Sequence, residues 1–216
     1  MSIEYIQSSS YRDVYEAVNP PVLIGVSGYA GVGKDTVAER LCLRIRNSVI
    51  VSMSAPLKAA VANALGTSPL MLERVKNSFR PLLVQFGSVG RYLDPEMWIK
   101  RVRKLIDESR SVTPRDLYFI TGIRYLNEAE WIIRSGGVVL GIDRIGVFPA
   151  NQKEAESIEE MKHLCVWVDN IEDRIDDCVQ GCIDALSGRG VIRRTASAAC
   201  VVCDTAEKIN ESTEKE

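Results

Sequence analysis

Short apolar runs alternate with helix-period stripes along most of the chain, and that alternation sets the expected fold. Val22-Leu23-Ile24-Gly25-Val26 is an apolar run of strand length, and Lys34 to about Arg46 carries Val37, Ala38, Leu41, Cys42 and Ile45 along one side of a helix. Further strands are expected at 48–53, 117–121, 137–142 and 164–168. Helices are expected at 57–65, stopped by Gly66, and in two pieces over 67–90, with Pro69 and Pro81 as first-turn residues. Another starts at Asp94-Pro95-Glu96 and buries Trp98, Ile99, Val102 and Leu105, with Lys100, Arg101, Arg103 and Lys104 as a solvated face; two more cover 127–134 and 171–186. Strands alternating with helices imply a parallel sheet covered on both faces, with a ligand crevice at the carboxyl ends of its strands.

The spacing of these elements divides the chain. Residues 1–21 read as an N-terminal extension ending in Pro20-Pro21, 22–187 as one domain, and 188–216 as a tail of small and polar residues. The stretch 55–115 is too long for a simple crossover and is expected to form a helical substrate-binding insert. Residues 145–163 read as a lid or a polar connection. At 216 residues and 46% hydrophobic, the chain can bury one sizeable core. Its 27 basic and 29 acidic residues nearly cancel, so neither nucleic acid nor an anionic membrane is expected as a partner. The first residues lack a basic region followed by an apolar one, and a soluble, cytoplasmic protein is expected. Monomer and homodimer are both open.

Six cysteines raise disulfides and zinc as alternatives. Cys42 and Cys165 fall in apolar stripes and read as core. Cys178 and Cys182 lie four apart on the stripe of Ile171 and Ile175, and Cys200 and Cys203 form a CxxC; the four are either a zinc set or two buried helix thiols and a tail pair, the second being the simpler reading.

The chemistry centres on Gly28-Tyr29-Ala30-Gly31-Val32-Gly33-Lys34-Asp35-Thr36, between the first strand and its helix. Strand, glycine loop, helix is the order of a phosphate-binding loop. Glycines let backbone N–H groups turn towards phosphate oxygens, the helix N-terminus adds its positive dipole end, and Lys34 reaches the terminal phosphates. The expected fold is thus an α/β P-loop NTPase-type three-layer sandwich with a parallel sheet and a helical substrate-binding insert. Gly28, Gly31, Gly33 and Lys34 bind ATP in this reading. Asp35 stands where a Ser or Thr usually helps hold Mg2+, with Thr36 one residue later, so Asp35 and Thr36 are the candidate magnesium residues. Phosphoryl transfer also needs positive charge around the moving group, and Arg91, Arg124 and Arg144 fall in the insert or at expected strand ends.

These residues carry a resemblance. The stretches GVSGYAGVGKDT (25–36), SAPLKAAVANALG (54–66), LLVQFGSVGRYLDPEMWIKRV (82–102), ITGIRYLNEAEWIIRSGG (120–137) and VWVDN (166–170) resemble, in the same order, the phage-type deoxynucleoside monophosphate kinases, where GKD in the loop is usual. The resemblance implies transfer of the ATP γ-phosphate to a deoxynucleoside monophosphate with magnesium, in the host cytoplasm if phage-encoded. It implies an acceptor site from Gly87, Ser88, Arg91, Trp98, Arg124 and Glu128, with Trp98 stacking a base or filling a helix core. Lys34, Arg91 and Arg124 carry the catalysis; Arg144 and Asn170 belong to the ATP side, Asn170 through purine or ribose contacts or as a helix cap. The sequence departs from the family in two places. Thr121-Gly122-Ile123-Arg124 stands where the family reads roughly T-D-V-R, and Glu156-Ser157-Ile158-Glu159-Glu160 lacks the lid's His-x-Ser-Glu, the one histidine being His163. Asp35, Glu128 and Glu159 are candidates to compensate. A dephospho-coenzyme A kinase, another small-molecule kinase, or a nucleotide-binding protein without turnover are the alternatives.

Overall fold

A computed structural model of the chain describes residues 14–195, without the side chains of Lys76 and Asn77. The CxxC at 200–203 and residues 1–13 lie outside the described residues, as does the expectation of a zinc set completed by the tail.

Five parallel strands form the central sheet. In spatial order they are β3 (Ser48–Ser52), β4 (Leu117–Ile123), β2 (Val22–Ser27), β5 (Val138–Asp143) and β6 (Cys165–Asp169). Their side chains alternate between two cores, as the two-residue period of a strand requires. Ile24, Val26, Leu117, Phe119 and Leu140 enter one, with α1 (Lys34–Arg44) and α8 (Ile175–Gly188). Tyr118, Ile120 and Val139 enter the other, with α5 (Met97–Val112), α6 (Leu126–Arg134) and α7 (Gln152–Met161). The chain leaves β2 for β3 on one side and crosses from β4 to β5 on the other, so the loop after β2 sits where the strand order reverses, the usual ligand position of such sheets.

The insert is made of α2 (Ala55–Ala64), α3 (Pro69–Arg74), α4 (Lys76–Leu93) and α5, with its own small core of Val61, Leu72 and Leu83. Pro69 opens α3 as expected. Pro81 does not open a helix; it lies inside α4. A proline there removes one backbone donor, but Phe79 and Leu83 on either side pack on the same cluster and hold the helix through it. In α5 Leu105 is exposed and Ile106 is buried instead, because the buried arc is centred near Val102 and Leu105 lies just beyond its edge.

The expected boundaries at 21/22 and 187/188 also shift. Tyr15–Ala17 (β1) pairs antiparallel with Ile192–Arg194 (β7), joining the two ends of the described chain. Tyr15, Val191 and Ile192 are buried in the α1/α8 core, so this ribbon belongs to the domain. The half-buried thiols of Cys42 and Cys165 pack at the margins of the two cores, and burial pushes both pKa values up to about 11. They are neutral structural groups near neutral pH.

One glycine joins the insert to its neighbour. A Cβ on Gly90 of α4 would come within 2.6–2.9 Å of the buried Trp98 ring. Gly90→Ala is expected to lower unfolding free energy by ~1–2 kcal/mol, overpacking outweighing the helix preference for alanine. Gly188→Ala, where a Cβ meets open space at the end of α8, should leave stability equal or higher. Denaturant unfolding of the two variants checks the opposite signs.

Candidate active site

The loop between β2 and α1 is shaped by close approaches as much as by its own glycines. Gly28 packs so near β5 that a Cβ would lie 2.3 Å from the Ile142 carbonyl oxygen. Gly33 has φ +90°, in the left-handed region, and a Cβ there would meet the Asn170 amide at 2.6 Å. That amide explains the contact: Asn170 Nδ2 donates to the Val32 carbonyl at 2.7 Å, while Asn170 N donates to the Asp143 carbonyl at 2.7 Å. Asn170 is buried and helix α8 starts only at Ile175, so it clamps the phosphate loop and caps no helix. Lys34, the first residue of α1, is buried with Nζ 3.2 Å from the Tyr29 carbonyl it donates to.

Facing the loop is a cleft of about 660 Å³. Gly31, Lys34 and Asp35 line it from the loop, Gly87 and Arg91 from α4, Trp98 from α5, and Arg124 and Glu128 from the end of β4 and the start of α6. Those expected site residues are brought together. Gly28 and Gly33 shape the loop behind this wall. Thr36 and Ser88 are outside the lining, each turned away around its helix from Asp35 and Gly87. Arg144 is outside it too, with Nη2 2.7 Å from Glu172 Oε1. Trp98 is nearly fully buried, its Nε1 donating to the Gly87 carbonyl at 3.0 Å, so it fills core under α4.

Two carboxylates position the arginines. Glu128 Oε2 accepts N–H bonds from Arg124 and Tyr125 at 2.9 and 3.2 Å, the reach-back half of a capping box, and Glu128 Oε1 lies 3.9 Å from Arg91 Nη2. The Arg91 guanidinium stacks 3.9 Å above the Tyr125 ring. Burial pushes the Glu128 carboxyl above its ordinary range, against the pull of those N–H groups and of Arg91. On α7, Glu154 Oε2 accepts from Ala150 N at 2.7 Å and Glu154 Oε1 pairs with Arg124 Nη1 at 3.2 Å, so α7 is tied to the end of β4.

The structure adds cleft residues that sequence reasoning missed: Arg80, Tyr125, Lys153 and Glu154, along with Glu39. Two had signals. Arg80, Gly87 and Arg91 share one helix face once the helix is carried through Pro81, and Asn151-x-x-Glu154 is a capping spacing, with Asn151 Oδ1 accepting from Glu154 N at 2.9 Å. Lys58, in the stretch 54–58 that follows the second strand at the rim, also lines the cleft and pairs with Glu73 at 2.5 Å.

Gly122, where the family reads an aspartate, sits on an irregularity of the strand. Val26 pairs with Thr121 and Ser27 with Ile123, so Gly122 is an extra residue bulged out of β4, at φ +80°. The buried Ser27 hydroxyl donates to the Ile123 carbonyl at 2.9 Å and closes the gap.

Asn170→Ala is expected to cost ~1–3 kcal/mol, because the loop carbonyl it serves is left unpaired; denaturant unfolding reads this. For Glu128→Gln the readout is the pH dependence of unfolding. A carboxyl whose pKa is raised by folding favours the folded state below the unfolded value of ~4.3 and loses that favour as pH rises through the raised one. Stability of the wild type relative to Glu128→Gln should therefore fall as pH climbs through that window, and a pH-independent difference would remove Glu128 as a strained buried acid.

Among known families, the model described as phosphomevalonate kinase matches residues 26–137, more than half of the chain. No curated protein matches it. Solved structures similar to the chain include shikimate kinase from Bacteroides thetaiotaomicron, 14% identical over 77% of this chain and 98% of that one with a TM-score of 0.41. Shikimate kinase from Aquifex aeolicus vf5 is 19% identical over 78% and 98%, TM-score 0.43, and thymidylate kinase from Candida albicans 11% identical over 82% and 96%, TM-score 0.44. These comparisons do not reach the deoxynucleoside monophosphate acceptor that the sequence resemblance implies. The matched span runs from the end of β2 through the phosphate loop, the insert, β4 and α6 to Gly137, just before β5, and by it the chain belongs to the phosphomevalonate kinase family, among the P-loop small-molecule kinases.

Proposed function

We propose that the chain transfers the γ-phosphate of ATP to a phosphate monoester, and that this acceptor is a deoxynucleoside monophosphate. One observation carries the reading: Lys58, Arg80, Arg91, Arg124 and Lys153 line the same cleft as the loop lysine Lys34. Two phosphorylated substrates meeting end to end bring several negative charges together, and their reaction depends mainly on positioning and on neutralising that charge. In this reading the loop N–H groups and the start of α1 receive the ATP phosphates, and Lys34 reaches the γ-phosphate. Arg91 and Arg124 orient the acceptor phosphate, one oxygen of which attacks the γ-phosphorus as ADP leaves. The apolar wall of Leu57, Leu83 and Val84 takes the rest of the acceptor.

The oxygen donors present fit a magnesium ion. Asp35 and Glu39, one turn apart on α1, both line the cleft and have no ion-pair partner among the described residues, and magnesium takes one or two carboxylates beside substrate phosphates. Asp35 with Glu39 would hold it, and Thr36, outside the lining, would not. When bound, the ion neutralises charge between the β- and γ-phosphates.

The nucleotide acceptor is supported by the blocks Gly87–Trp98 and Thr121–Glu130, which carry the resemblance and also supply one wall of the cleft. Phosphomevalonate is the second reading, favoured by the description of the family model. ADP formation with ATP and magnesium, against separate deoxynucleoside monophosphates, phosphomevalonate and dephospho-coenzyme A, decides between them. Turnover on deoxynucleotides is the expected result; turnover on phosphomevalonate alone moves the acceptor to the second reading, and ATP binding without any turnover makes the protein a non-catalytic binder. Lys34→Ala should lower turnover by ~10²-fold or more. Arg91→Ala should raise the acceptor KM more than the ATP KM, and the reverse would put Arg91 on the donor side.

A further inference from the structure

Helix α4 has two faces. Arg80, Leu83, Gly87 and Arg91 look into the cleft. On the opposite side Val75, just ahead of the helix, and Leu82, Phe86, Val89 and Leu93 form a stripe spaced seven, four, three and four residues, which is the seam pattern of packed helices. Among the described residues the stripe is only partly covered: Leu82 is 40% exposed, Phe86, tilted against the Trp98 ring, 39%, Val89 57% and Leu93 70%, with Tyr92 beside it. The other positions on this face, Ser78 and Gln85, are uncharged.

We propose that this face is the interface of a homodimer in which two α4 helices lie antiparallel across a twofold axis. Three observations select a second copy as the occupant. The spacing of Leu82, Phe86, Val89 and Leu93 reads the same in both directions, so reversing one helix sets Leu82 of one copy opposite Leu93 of the other, and Phe86 opposite Val89, as an isologous contact requires. No like charges meet on the face, and antiparallel helices align their dipoles favourably. At ~150–250 Å² for a large side chain, the exposed parts of the stripe and Tyr92 come to roughly 600 Å². A standard interface takes about 800 Å² per partner, about 65% of it apolar in homodimers, so the patch is the size that one copy must contribute. The dimer would brace the helix whose other face carries Arg80 and Arg91. The inference stands apart from the acceptor assignment, and either can fail without the other.

Sedimentation of the full chain over a micromolar concentration series tests it. The expected mass is that of two chains, and Val89→Glu with Leu93→Glu should raise the dimer Kd by ~100-fold or more by burying charge in the seam, giving the mass of one chain with unchanged helix content. A wild type with the mass of one chain at every concentration overturns the proposal, as does a double variant that remains dimeric. Should the double variant fail to fold, amide exchange of the wild type decides: protection of residues 82–93 that rises with protein concentration supports the dimer, and protection independent of concentration overturns it.

Discussion

The site depends first on one side-chain amide. The loop that would receive phosphate must hold its N–H groups inward, which leaves its carbonyls facing the protein, where each needs a donor. Asn170, at the end of β6, donates to the Val32 carbonyl, and its own backbone N–H ties it to Asp143 at the end of β5. Gly28 is pressed against the Ile142 carbonyl on the same strand. Two neighbouring strand ends therefore set the shape of a loop that begins on β2. The parallel sheet does more than carry the loop; it supplies the contacts that keep it open.

A second constraint acts on the arginines. A guanidinium on a long flexible side chain is a poor preformed anion site unless something fixes it. Glu128 and the Tyr125 ring fix Arg91, and Glu154 fixes Arg124 while tethering α7 beside the cleft. Each arginine keeps donors beyond those its carboxylate takes. The acids bordering the cleft thus divide into two kinds: Glu73, Glu128 and Glu154 pair with cations, while Asp35 and Glu39 on α1 face the loop side without a salt bridge among the described residues.

The same division between local and distant causes explains what the sequence made legible. The five strands of the central sheet were legible because each is a contiguous apolar run, and the phosphate loop because its glycines and lysine are neighbours in sequence. Asn170 follows the last strand of the sheet, but its bond to the loop could not be read, since its partner Val32 is 138 residues away. Arg144, expected as a phosphate ligand at a strand end, lies outside the cleft lining with Glu172 against it, a partner 28 residues away that the sequence did not point to. Pro81 was misread because a proline signals a helix start unless packing on both sides carries the helix through, and that packing comes from α2 and α3. The β1–β7 ribbon joins segments near opposite ends of the chain, each too short to stand out alone.

Gly122 shows why a departure from a family pattern needs backbone context. As a plain substitution, glycine for aspartate reads as a lost acid. In the fold it is a bulged residue at φ +80°, one position longer than the strand beside it, with Ser27 closing the ladder around the bulge. Space is not the obstacle, because a Cβ at 122 would meet nothing within 4 Å. The left-handed backbone costs ~1–2 kcal/mol for side chains other than Asn and Asp. An aspartate would be among the least strained residues there, yet its carboxylate would leave a bulged backbone rather than a regular strand end. Acidic chemistry in this chain is therefore better sought at Asp35 and Glu39, which already line the cleft beside Lys34 on a straight helix, than at the position where the pattern is broken.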